Sequence, residues 1–202
     1  MASIEFVTIE VADPTAADRF HKAAFGLGDR VRTRASEAPT SGFRGFTMSL
    51  IVAQPATVDA IVDAAQEAGA TALKPPAKSL WGYGGVVRAP DGTIWTVASS
   101  AKKDTGPATR EIDDVVLQLG VADVAASKRF YVDRGIDVAR SYGRRYVEFA
   151  TGPIKLTLYK HRALAKVAGV APDGTGAHRL AIGADTDPFT DPDGFAWETA
   201  PR

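Results

Sequence analysis

Cysteine is absent from the 202 residues, methionine occurs twice and histidine three times. Without cysteine there is no disulfide, no thiolate metal site and no thiol nucleophile; the absence also fits the reducing cytoplasm, the expected location. Neither charge is in excess. Lys and Arg number 24, as do Asp and Glu, so there is no electrostatic case for nucleic acid or an anionic membrane as partner. No run approaches the ~18 unbroken apolar residues of a spanning helix. The opening MASIEFVTIEVAD lacks the basic region and apolar core of a signal peptide and reads as a first strand. The histidines, His21, His161 and His178, are scattered and give no Ser-His-Asp arrangement.

What is present is an ordinary globular balance, 45% hydrophobic and 24% charged, on a chain long enough for one large domain or two small ones. It also repeats itself. APDGTIWTVASS at Ala89–Ser100 returns as DPDGFAWETA at Asp191–Ala200. Each copy is a Pro-Asp-Gly turn, Gly tolerating positive φ and Asp bonding its own backbone, followed by an alternating strand with a Trp. Thr96 in the first copy matches Glu198 in the second. Val11-Ala12-Asp13 with Arg19-Phe20 returns at an offset of 110 as Val121-Ala122-Asp123 with Arg129-Phe130. An internal duplication accounts for both.

Within copy one, Ile4–Val11 alternates as a half-buried strand, and Asp13-Pro14 starts a helix with an apolar stripe. A strand over Asp29–Arg34, a loop over Ala35–Gly42 and a strand over Phe43–Val52 follow. Thr57 is expected to cap a second helix whose Val58, Ile61, Val62 and Ala65 fall at helical spacing. Two strands, around Thr71–Leu73 and Gly84–Ala89, precede the turn. The polar AKKDTGPATR reads as a linker, giving units over 1–102 and 111–202 joined through 103–110. The copies differ in what they retain. Copy two has strands at Arg145–Ala150 and Ile154–Lys160 and a helix-like His161–Gly169, which copy one lacks. Copy one keeps Thr57–Ala89, which copy two reduces to about Thr186–Asp191.

The ordered set VTIEVAD…RFH…FGLG, then GFRGFTMSLIVA, then TVDAIVDAAQEAGA…KPPAKSLWGYGGVVRAPDGTIW resembles the glyoxalase/bleomycin-resistance/extradiol-dioxygenase group, the vicinal oxygen chelate superfamily, over nearly the whole chain. The resemblance implies an α+β fold of tandem βαβββ modules whose curled mixed sheets surround cups. It also implies, in catalytic members, a divalent ion held by a His or Gln on the first strand, a His opening the second module, and a Glu after Pro-Asp-Gly. Carried over, these positions hold Phe6 and Val116, then Phe43 and Ala177 or His178, then Thr96 and Glu198. Glu198 alone survives securely. His178 is in phase with Leu180 and Ile182, which points it to the helical layer rather than the cup. The expected metal set is therefore empty, and no cofactor is expected.

The complementary losses suggest that each cup joins the first module of one unit to the second module of the other, leaving one intact cup and one smaller, closed partner. Expected ligand contacts in the larger cup are Trp81 and Tyr83 from SLWGYGG, Thr47 and Thr96 from copy one, and Gln118, Tyr146 and Tyr159 from copy two. Arg144-Arg145 reads as a solvated turn. The run from Asp185 to Gly194 looks calcium-like, but an EF-hand loop would need acidic residues where Phe189 and Ala200 stand. The sequence thus points to a small-molecule-binding protein without a catalytic metal, monomeric or homodimeric. One alternative is a lyase, isomerase or dioxygenase with a non-standard site, Glu198 serving as base. Another is an interaction module.

Overall fold

A computed structural model describes residues 3–200. Copy one contributes β1 (Ile4–Val11), α1 (Pro14–Ala24), β2 (Val31–Ala35), β3 (Thr40–Gly42), β4 (Phe46–Ile51), α2 (Pro55–Glu67), β5 (Thr71–Ser79), β6 (Gly82–Arg88) and β7 (Ile94–Ser99). Copy two contributes β8 (Asp114–Val121), α3 (Val124–Val132), β9 (Val138–Tyr142), β10 (Tyr146–Phe149), β11 (Ile154–Lys160), α4 (His161–Ala168), β12 (Gly174–Gly176), β13 (Leu180–Ala184), β14 (Phe189–Thr190) and β15 (Ala196–Thr199).

The duplicated helix starts work as the sequence dictates. Asp13 accepts from Ala16 N at 3.0 Å with Pro14 opening α1, and Asp123 accepts from Ala125 N at 2.8 Å to open α3. For α2 the expected cap is corrected. The helix begins at Pro55, and Thr57 lies inside its first turn. Pro at the first helical position was the stronger signal. The cap role passes to the inter-copy segment, where Asp104 accepts from Ala56 N at 2.7 Å. Gln54 in turn ties that segment down. Its Oε1 accepts from Thr105 N and Gly106 N, and its Nε2 donates to the carbonyls of Gly106 and Pro107.

The strands form an eight-stranded mixed sheet, β5-β6-β7-β4-β8-β11-β10-β9, and a five-stranded one, β14-β15-β13-β1-β2. Both sheets cross between copies. In the larger, β4 pairs antiparallel with β8, Thr47 opposite Gln118 and Ser49 opposite Val116. In the smaller, β1 pairs antiparallel with β13, Phe6 opposite Gly183. The fuller modules have met each other, and so have the trimmed ones. A short ribbon of β3 and β12 ties the copies a third time.

Alternation assigns the two faces. Met48, Leu50, Trp95, Val97, Leu117, Leu119, Leu156 and Leu158 of the larger sheet join Val7, Ile9, Leu180 and Ile182 of the smaller in one core, which takes in residues of α1, α2 and α3. At about 25 cal/mol per Å2 of apolar surface this burial is the main stabilising term. The opposite, inner face of the larger sheet carries the polar residues.

Candidate functional site

Thr47, Ser49, Thr96, Gln118 and Thr157 are all buried on that inner face. Their neighbours across the sheet, Tyr146, Glu148 and Tyr159, are half-buried. The polar groups run in series. Thr47 Oγ1 donates to Gln118 Oε1 at 2.8 Å, and Gln118 Nε2 donates to the Tyr159 hydroxyl at 3.5 Å. The Tyr159 ring stands edge-on to Tyr146 at 5.1 Å, and the Tyr146 hydroxyl donates to Glu148 Oε2 at 3.1 Å. Tyr142, largely exposed, extends the aromatic row, its ring 5.9 Å from Tyr146. The Thr96 hydroxyl is buried on the same face with no hydrogen-bond partner.

Burial raises the pKa of both Tyr146 and Tyr159, and the charge of Glu148 adds to the rise. Both phenols therefore remain protonated at neutral pH. They serve as ring faces and hydrogen-bond donors, and neither is a base. Five residues expected in the larger cup, Thr47, Thr96, Gln118, Tyr146 and Tyr159, thus share one face.

Three other expected residues lie elsewhere. Tyr83 is in phase with Val87 and lies on the opposite face, its hydroxyl donating to Asp59 of α2 at 2.9 Å. Trp81 occupies the tip of the β5–β6 hairpin beside Leu80, the two being 85% and 79% exposed. Glu198 belongs to the five-stranded sheet, where Arg34 Nη1 donates to its carboxylate at 2.9 Å and Arg34 Nη2 donates to Glu10 at 2.8 Å. A carboxylate held by a guanidinium is a poor base. Arg144 and Arg145 are exposed in the β9–β10 turn.

One feature of the site has only a partial sequence signal. The apolar stripe of α4 is readable, but not its placement. The helix leaves β11 directly and crosses the inner face. Leu164, Ala165 and Ala168 pack there on Phe43, Val86 and Ile94, forming a second apolar cluster. Gly120 lets the helix approach, since a Cβ there would meet His161 Cα at 3.0 Å. From β5, Lys74 Nζ donates to the carbonyls of Lys166 and Val167 at 2.8 and 2.7 Å, capping the far end. α4 thus covers one end of the inner face, and the tyrosines lie at the other.

The metal centre that the sequence resemblance implies does not fit these residues. Phe6, Val116, Phe43 and Thr96 offer no imidazole or carboxylate. His178 precedes β13, separated from it by Arg179 at φ 58°, so strand phase does not extend back to it. Its Nδ1 lies 2.7 Å from the Arg44 carbonyl, its Nε2 lies 2.8 Å from that of Asp193, and its ring stacks on Phe195. Both nitrogens are committed to main chain. The calcium-like carboxylates are also used internally. Asp191 accepts from Asp193 N, Phe195 N and the Tyr131 hydroxyl, and Asp193 accepts from Ala122 N and Ser127. Among the described residues no group of three or more His, Cys, Asp or Glu side chains is placed to hold an ion.

The fold has known counterparts. Glyoxalase I from Zea mays superimposes with a TM-score of 0.63 over 98% of this chain and 91% of its own, at 14% identity. A glyoxalase/bleomycin resistance protein/dioxygenase family enzyme from Burkholderia phytofirmans PsJN aligns over 48% of this chain and 98% of its own, at 22% identity and a TM-score of 0.45. No protein-family model and no curated protein matches the sequence. The full-length superposition establishes the architecture alone: an α+β fold of curled mixed sheets like that of glyoxalase I. No helix among the described residues is long and apolar enough to cross a membrane.

Proposed function

We propose that this chain binds a small, planar organic molecule on the inner face of the eight-stranded sheet and does so without a catalytic metal. The observation that carries the reading is the series Thr47–Gln118–Tyr159–Tyr146–Glu148, placed where a sheet buried on both faces would carry apolar side chains. A polar group buried short of partners costs about 1–3 kcal/mol, and a ligand that supplies an acceptor to Thr96 or a partner to Gln118 recovers part of that. The ring edges of Tyr146 and Tyr159 suit a flat ligand body. Sequestration is the activity this arrangement serves, and the cytoplasm is the compartment in which we place it.

The test is a thermal-shift screen of phenols, quinones and heteroaromatic amides against the wild type, Gln118→Leu and Tyr159→Phe. A ligand present at 100 times its Kd stabilises by about 2.7 kcal/mol, enough to read as a rise in Tm. Compounds that raise Tm in the wild type and not in the variants support the site. Equal responses in all three proteins, or none, would refute it.

A second reading has one observation of its own. Leu80 and Trp81 sit in solvent at a hairpin tip, as an interaction module would display them. In that case removing them changes partner binding and leaves the ligand screen unaltered.

A further inference from the structure

Beyond the tyrosine-lined end, the α4 side of the sheet keeps a second hollow. A cleft of about 390 Å3 lies between the Thr40–Arg44 segment, the facing ends of β6 and β7, and the chain leaving α4. Its size falls within the ~300–1,000 Å3 of small-ligand pockets. Phe43, Ile94 and Val170 supply apolar wall, while Arg44 and Arg88 supply charge. Thr47, Gln118, Tyr146 and Tyr159 do not line it, so it is independent of the site above.

Arg44 is the unusual member. Its guanidinium lies across the first Pro-Asp-Gly turn, with Nη2 donating to the Asp91 carbonyl. The missing side chain of Gly92 makes the room, since a Cβ there would run into that nitrogen. Nη1 is buried with no hydrogen-bond partner among the described residues, and so is the hydroxyl of Thr93, which also lines the cleft. The Asp91 carboxylate is engaged elsewhere, accepting from Thr93 N at 2.7 Å and lying 3.5 Å from His21 Nε2. Among the described residues no carboxylate is within ion-pair distance of Arg44 or Arg88. Burial pulls the Arg44 pKa below its ordinary value; Asp91 opposes the shift, and Arg179 and Arg88 add to it. Among the described residues the one acidic side chain bordering the cleft is Asp173, which is exposed.

A guanidinium with no ion-pair partner, and with one buried nitrogen that no acceptor meets, is costly unless something completes it. We propose that the cleft binds a small organic carboxylate, its anionic end between Arg44 and Arg88 and its apolar body against Phe43, Ile94 and Val170. Charge at one end and hydrocarbon at the other favour such a ligand over a bare inorganic anion, which would leave the apolar wall unfilled.

The test is isothermal titration of the full chain with benzoate, its neutral isostere benzamide, and inorganic phosphate. Benzoate is expected to bind and the other two to bind at least tenfold more weakly. Arg88→Gln, at an exposed position, is expected to weaken benzoate about tenfold, as for loss of one charge-assisted hydrogen bond, without changing Tm in the absence of ligand. Gln118→Leu is expected to leave benzoate binding unchanged, which separates this cleft from the inner-face site. Benzamide or phosphate binding to the Gln118→Leu protein as tightly as benzoate would overturn the proposal, as would an Arg88→Gln protein that binds benzoate with wild-type affinity.

Discussion

Arg34 and Glu198 are 164 residues apart in sequence, yet Arg34 Nη1 donates to Glu198 Oε1 at 2.9 Å and to Oε2 at 3.2 Å. Their strands, β2 and β15, are separated by β1 and β13 in the five-stranded sheet. That is about 14 Å of strand spacing, which the two long side chains bridge across the inner surface, where Arg34 also reaches Glu10 of the intervening β1. The smaller cup is drawn together by an ionic clasp. The clasp involves Glu198, the one carboxylate at the positions where the sequence resemblance implies metal ligands.

The clasp is exposed enough to be weak. Arg34 and Glu198 side chains are 45% and 39% accessible, and such pairs contribute about 0.2–1 kcal/mol. A double-mutant cycle with Arg34→Ala and Glu198→Ala, followed by urea unfolding, is expected to give a coupling energy in that range. The coupling should vanish in 1 M salt, where the Debye length falls to about 3 Å. Coupling that survives high salt would mean the pair is not the solvated clasp described.

On the same inner surface Phe6 and Gly183 are fitted to each other. A Cβ at Gly183 would penetrate the Phe6 ring, and Arg32 covers that ring's face at 3.7 Å. Gly183→Ala is therefore expected to lose about 1–3 kcal/mol by overpacking. In a Phe6→Leu background the same change should cost measurably less, because the colliding ring is gone. Equal costs in both backgrounds would rule out the steric account.

Much of this architecture is legible in the residues. The duplicated VAD and Pro-Asp-Gly segments, the Asp caps and the opposite losses of the two copies lead to the crossed sheets before any coordinates are known. Residue parity finds Thr47, Thr96 and Gln118, because each sits between apolar neighbours committed to the core. The same rule applied to Tyr83 through Val87 would have turned it away from the cup; the run of glycines in GYGG obscured the alternation. The placement of α4 across the inner face has no local signature. An apolar stripe states that a helix face is buried, not against which surface. Arg34 meeting Glu198 is equally invisible, since it depends on the strand order that places β2 and β15 in one sheet.

Two aspartates at the turns are expected to respond to pH in opposite senses. Burial raises the Asp191 pKa above the ordinary 3.8 despite hydrogen bonds from Tyr131 and main chain. Its folded form holds the proton more tightly, so stability falls as pH rises from about 3.8 through the raised value. For Asp91, burial is outweighed by the nearby His21 imidazole and the hydrogen bond from Thr93 N, and the pKa is lowered. Its contribution is present above the ordinary value and is lost as pH falls through the lowered one. Urea midpoints between pH 3 and 8 should show Asp191→Asn gaining on the wild type as pH rises. Asp91→Asn should be less stable by about 1–2 kcal/mol at neutral pH, with the deficit shrinking toward pH 3. The same trend in both variants would contradict these environments.

The strap over the larger cup makes its own prediction. α4 has eight residues, too few to persist as an isolated helix. It is fixed by Leu164, Ala165 and Ala168 on its buried face, by Gly169 at φ 76° past its C-terminus, and by the Lys74 cap. Lys74→Met keeps the aliphatic stem that packs on Gly169 and removes only the two charge-assisted bonds. The cost should be about 0.3–1 kcal/mol in global stability, the range for a cation at a helix C-terminus. Local opening is the more sensitive readout. Amide hydrogen exchange in α4 should accelerate severalfold while exchange in β8 and β11 beneath it stays at the wild-type rate. If α4 gates the inner face, ligands for the Gln118 site should also associate faster with Lys74→Met. Unchanged exchange in α4 would show that the apolar face alone holds the strap, and acceleration across β8 as well would show that strap and sheet open as one unit.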